Sequence, residues 1–206
     1  MKRLPRTLLG ALALSLLAAG CATSTPDRYY TLAAPADVVP VPSATPVFIE
    51  LAPVAVPERL ARPQMLVQRT GGGAQVAVLE QHRWSASFEN ELRDALAAGI
   101  ASRLGAIDVT KGGRQPSQPA WRIAVQLQRF DAIEDTRVDA AFSWTVRRSD
   151  AERSATCQWS GSESVGQGID ALALGAQRVT AQAAQAIARQ VAALQSDPAA
   201  VCRGAG

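Results

Sequence analysis

The chain has 206 residues, with 21 Lys and Arg against 18 Asp and Glu, one His and three Cys. Its positive excess sits at the start, in Lys2, Arg3 and Arg6, so residues 21–206 carry 18 charges of each sign. A neutral body with no run of like charges gives no case for nucleic acid as a partner.

Residues 1–20 have the three parts of a secretory signal. Lys2, Arg3 and Arg6 are the basic n-region, Leu8 to Leu17 the apolar core, and Ala18, Ala19 and Gly20 the small residues before a cleavage point. The apolar core is too short for a membrane span, which needs about 20 apolar residues. Cys21 follows directly. Ala18-Ala-Gly-Cys21 resembles the bacterial lipobox, although Leu17 stands one place early. That resemblance makes Cys21 the acylated first residue of a mature chain of 186 residues, long enough for one domain with a core. Three acyl chains would hold it firmly on a membrane, since one chain binds only marginally.

Residues 21–27 then read as a polar tether and residues 28–206 as the folded domain. Arg28 to Leu32 predicts a first strand, and the prolines of residues 33–46 an extended loop. Val47 to Val54 is a second strand. Pro57 to Pro63 is a turn, and Gln64 to Thr70 a third strand. Gly71 to Gly73 closes a hairpin to a fourth strand over Gln75 to Glu80. Trp84, Phe88, Leu92, Leu96, Ile100 and Leu104 recur every four residues and predict an amphipathic helix. Ser85 is the expected N-cap and Gly105 the expected stop. Residues 106–110 form a candidate edge strand.

Three alternating strands follow. Trp121 to Leu127, Val138 to Val146 and Ala155 to Trp159 each place apolar residues on one face and polar ones on the other. Phe130 falls out of step and predicts a bulge. A second helix is expected from Leu172 to Leu194, with Asp170 as its N-cap. The expected fold is α+β: a mixed, largely antiparallel sheet of about seven strands, with two long amphipathic helices on its apolar face.

No catalytic set is legible. His82 is the lone histidine, and Gly161 to Gly166 is not a nucleophile elbow. There is no clustered His and Cys for zinc, and Asp131, Glu134, Asp135 and Asp139 lack calcium-loop spacing and read as a solvated acidic turn. No metal, cofactor or catalytic residue is therefore assigned. Cys157 and Cys202 are compatible with a disulfide in an oxidising compartment, or with a buried thiol and a free tail thiol.

Several segments share one pattern. Cys21 and Arg28-Tyr29-Tyr30-Thr31-Leu32 open the mature chain. Ile49-Glu50-Leu51 follows, then Leu60, Arg62, Pro63 and Gln64, then Arg83 and Trp84 after His82. Their order and spacing resemble the PqiC (YmbA-like) family of ABC-type transport auxiliary lipoproteins. The resemblance implies a lipoprotein on the periplasmic face of the outer membrane, without enzymatic activity. Its implied partners are an MCE-domain protein and inner-membrane transport components for lipid movement, with homo-oligomers as a further expectation. A pilotin-like structural lipoprotein and a lipid-modifying enzyme relying on His82 are the competing readings.

Overall fold

The computed structural model describes residues 26–34, 46–71, 73–115 and 117–202. The signal of residues 1–20, Cys21 and most of the loop at 33–46 lie outside these. The elements in chain order are β1 (Arg28–Tyr30), β2 (Phe48–Leu51), a 3-10 turn (Glu58–Leu60), β3 (Gln64–Gln68) and β4 (Val76–Trp84). Then come α1 (Phe88–Leu104), β5 (Ile107–Asp108), β6 (Trp121–Ile133), β7 (Arg137–Arg148), β8 (Ser154–Ser164) and α2 (Gly168–Ser196). Among the described residues, eight strands form one mixed sheet, and two helices pack on its apolar face. The α+β class is as expected.

β6 is the hub. One side pairs antiparallel with β7 along its whole length, and β7 in turn pairs antiparallel with β8. The other side is shared by two parallel neighbours: β2 at Trp121–Ile123, and β3 at Ile133. β5 adds to β2, while β4 and then β1 add beyond β3.

The alternation of β6 explains its register. Trp121, Ile123, Val125 and Leu127 are buried against the helices, while Arg122, Gln126 and Gln128 are exposed. The ladder shifts between Leu127 and Arg129. That extra residue reverses the parity, so Phe130 and Ala132 are buried in turn. This is the bulge that Phe130 predicts. The opposite sheet face is polar, with Arg122 bound to Glu50 at 3.0 Å and Thr145 to Thr156 at 3.1 Å.

The helix boundaries differ from the sequence reading. Trp84 ends β4 and does not open the helix, because its N–H donates to the Pro63 carbonyl at 2.7 Å. Its ring still meets Phe88, at 5.7 Å between centroids, so the four-residue spacing survives across the turn. The N-cap of α1 is Ser87, which accepts from the Asn90 N–H, and not Ser85. Gly105 closes the helix at φ 60°, a left-handed conformation that suits glycine. Likewise α2 has Gln167 at its N-cap, and Asp170 lies inside the first turn. At Gly99 a Cβ would come within 2.9 Å of Ala184, so this glycine permits the close approach of α1 and α2.

All four tryptophans are buried, with Trp159 and Trp121 the most accessible at 9%. Cys157 and Cys202 are joined in a disulfide with their Cα atoms 5.6 Å apart. The link spans 45 residues and ties the segment after α2 back to β8. A loop of that length lowers unfolded-chain entropy by about 4 kcal/mol in the chain-entropy account. Among the described residues, no helix is long and apolar enough to cross a membrane.

Candidate functional site

The described chain begins at Pro26, five residues after Cys21, and enters the sheet at once. β1 is a short edge strand parallel to β4, pairing Arg28 with His82, Tyr29 with Arg83 and Tyr30 with Trp84. Three residues are little to hold a strand in place. Side chains from distant parts of the chain supply the rest.

Tyr30 is the first clasp. Its hydroxyl donates to Asp170 Oδ1 at 2.7 Å and lies 3.0 Å from His82 Nδ1. With the phenolic hydrogen committed to Asp170, His82 Nδ1 carries a hydrogen and donates to the tyrosine oxygen. The two rings stack at 5.9 Å. Arg28 reaches the other oxygen of Asp170 at 3.0 Å. Burial pushes the Tyr30 hydroxyl up to about 12, and the hydrogen bond and charge of Asp170 act in the same direction. The Tyr30 hydrogen bond is the main cause holding the Asp170 carboxyl below its ordinary value, with Arg28 adding to it.

Glu91 is the second clasp. Its carboxylate, only 8% exposed, accepts from Thr31 Oγ1 at 2.9 Å, from the Leu32 N–H at 3.0 Å and from Ser85 Oγ. Hydrogen bonds to a charged, part-dry acceptor are stronger than neutral ones. Gln177 of α2 adds a donor to the Thr31 carbonyl at 2.8 Å, and the Ser85 N–H donates to the Tyr30 carbonyl at 2.8 Å. The strand that follows the tether is thus held by α1, α2 and β4 together.

The segments of the shared sequence pattern converge on this corner. Trp84 binds Pro63 and pairs with Tyr30, while Gln64 pairs with Arg83. Leu60 is buried, and Gln64 Nε2 donates to Glu80 at 3.4 Å. Arg83 lies 3.7 Å from Asp27 of the tether. Arg62 is exposed beside them. A three-residue register shift between Gln64 and Met65 turns His82 and Trp84 toward the helices. Cys157 and Cys202 lie at another end of the domain. Glu91 and the role of Asp170 escaped the sequence reading. The available signal was Glu91 itself, an acidic residue three places from Phe88 and one from Leu92, at the edge of the apolar stripe.

The acidic turn has structural work. Asp131 lies near Arg59 at 3.4 Å, Asp139 pairs with Arg137 at 3.0 Å, and Asp135 accepts from the Gly168 N–H at 2.7 Å. Among the described residues, no three His, Cys, Asp or Glu side chains are grouped to hold a metal. His82 faces Tyr30 through Nδ1, an arrangement that fixes a strand.

One pH dependence follows. The Tyr30 hydroxyl has a folded value of about 12 against 10.0 for an ordinary tyrosine. Its contribution is therefore complete below pH 10 and is lost as pH rises from 10 toward 12. In Tyr30→Phe this part of the alkaline decline is expected to vanish, and the neutral-pH stability to fall by about 1 kcal/mol. Denaturant melts at stepped pH measure both.

A one-sheet α+β domain held at its N-terminal edge by two side-chain clasps, one of them buried at Glu91, is the class that fold and site define. The model of the ABC-type transport auxiliary lipoprotein component family matches residues 30–188, and the chain belongs to that family. It is by membership an auxiliary lipoprotein of ABC-type transport and a membrane-anchored protein of the cell envelope. Solved structures share the fold. An uncharacterized protein superposes with a TM-score of 0.65 at 19% identity, covering 81% of this chain and 99% of its own. A protein from Xanthomonas campestris superposes with a TM-score of 0.57 at 16% identity, covering 84% and 99%. No curated protein matches significantly.

Proposed function

We propose that this chain is a non-enzymatic docking component of an MCE-type lipid transport system, acylated at Cys21 and held on the periplasmic face of the outer membrane. The family match from Tyr30 onward is the observation that carries this reading. The clasp supports it. An anchor at Cys21 fixes the domain at a membrane only if the chain soon becomes rigid, and here the intervening tether ends at β1. Ala22 after Cys21, where Asp would favour retention in the inner membrane, supports the outer membrane. The Cys157–Cys202 disulfide suits an oxidising compartment. The polar sheet face around Glu50, Arg122 and Thr145 is the docking surface in this reading, and self-association into a homo-oligomer would multiply it.

Affinity purification of the full-length protein from detergent-solubilised envelopes tests the partner. Recovery of an MCE-domain protein is expected, together with its inner-membrane transport partners. Recovery of a secretion machine alone would instead favour a pilotin-like role and overturn the proposal.

A further inference from the structure

A groove of about 950 Å³ lies at the end of the sheet away from the clasp. That volume is within the range of about 300–1,000 Å³ that holds small organic ligands. Its floor is apolar: Trp121, Val146 and Ala155 from three adjacent strands, and Leu194 from α2. The segment Pro198–Cys202 forms its outer wall. Within that wall Val201 is 79% exposed, an apolar side chain at the lip of an apolar groove. The wall is in place because Cys202 is bonded to Cys157 of β8.

Among the described lining residues, the charged side chains lie together on one rim. Arg148, Asp150 and Arg153 line the groove at the turn between β7 and β8, and Arg148 meets Asp150 at 2.8 Å. Among the side chains that line the groove, two guanidinium groups stand against one carboxylate, and Glu152 of the same turn lies outside the lining. Leu194 and Gln195 of the last turn of α2 also line the groove, and that turn contains no basic residue. A helix C-terminus carries partial negative charge, so it disfavours an anion there. A guest with an anionic head and an apolar body would meet Arg148 and Arg153 with the one and Trp121 and Leu194 with the other.

The geometry points to a binding site for a single-chain amphiphile with an anionic head, such as a long-chain fatty acid or a monoacyl lipid. Arginine supplies bidentate donors to a carboxylate or phosphate, and the floor supplies the apolar contact. The disulfide acts as a structural requirement, since opening it releases the outer wall. The assignment stands on the groove's own residues. The chain could dock a transporter without touching lipid, and partner recovery and lipid labelling report the two separately.

The test uses the full-length protein in its membranes and a photoactivatable hexadecanoic acid, followed by mapping of labelled tryptic peptides. Label is expected within residues 148–156 or 194–202. Arg148→Gln combined with Arg153→Gln should lower it at least fivefold, and Ala155→Trp, which fills the floor, at least tenfold. Both arginines are exposed, so the first variant reports on binding even if the second fails to fold. Reduction of the disulfide should also lower labelling. An uncharged hexadecanol probe should label weakly, and millimolar inorganic phosphate should not compete. Label elsewhere in the chain, or label unchanged in the arginine variant, would overturn the assignment. Equal labelling by hexadecanol would reduce the groove to a merely apolar surface, and displacement by phosphate alone to a simple anion site. Either outcome refutes it.

Discussion

Ile187→Asp is expected to abolish the cooperative unfolding transition of the domain at 25 °C. Ile187 lies in α2 with no exposed surface, as do Ala183 and Val191 one turn to either side. Its face of the helix meets the apolar side of the sheet. An unpaired carboxylate there costs several kcal/mol after relaxation, and the lost isoleucine contacts add about 2–5 kcal/mol. A domain of this size is stable by only about 5–15 kcal/mol in total. Leu92→Asp in α1 should behave alike, since Leu92 is also fully buried. Far-ultraviolet circular dichroism on heating measures both. A melting curve like that of the unsubstituted protein in either variant would contradict the placement of the helix faces.

Glu91→Leu is expected to cost about 3 kcal/mol, and most of that cost should appear near the tether. The substitution keeps the volume close and improves helix propensity slightly, so neither effect explains a loss. What is lost is one acceptor serving three donors: Thr31 Oγ1, Ser85 Oγ and the Leu32 N–H. The two hydroxyls can rotate toward water. The Leu32 N–H cannot, because Leu32 is 1% exposed. For about 180 residues the expected drop in Tm is about 6–12 °C. Hydrogen exchange should show Leu32 losing protection before α1 does. Uniform loss of protection across the sheet would mean that the clasp is not a local device.

The part of the fold written in local pattern was legible. Period-two alternation in β6, β7 and β8 announces which face is buried, because each strand is half covered and half wet. Phe130 out of phase marks its own bulge. The four-residue stripe from Phe88 to Leu104 gives α1. What escaped depends on contacts across long stretches of chain. Trp84 obeys the helix period, yet its N–H goes to Pro63 and fixes it in a strand. Asp170 has the right chemistry for an N-cap, but Tyr30, 140 residues away, takes its carboxylate. Ser85 is likewise drawn to Glu91. Polar residues with short side chains suit caps and clasps equally well, and only the tertiary arrangement chooses between them. The tail of the chain followed the same rule: Cys157 and Cys202 left two readings open until β8 and the segment after α2 were seen side by side.

These clasps matter because they lie next to the tether. A lipid at Cys21 would transmit the position of the membrane through a few residues to β1, and from there through Tyr30 and Glu91 to both helices. Cys21 therefore bears on the proposed role more than any residue of the folded domain. Metabolic labelling with palmitate and density-gradient separation of the envelope, applied to the unsubstituted protein and to Cys21→Ser, test it directly. The unsubstituted protein should carry label and band with the outer membrane. The Cys21→Ser protein should carry none, and should be either uncleaved or released to the periplasm. Normal partition of Cys21→Ser into the outer membrane would contradict the account.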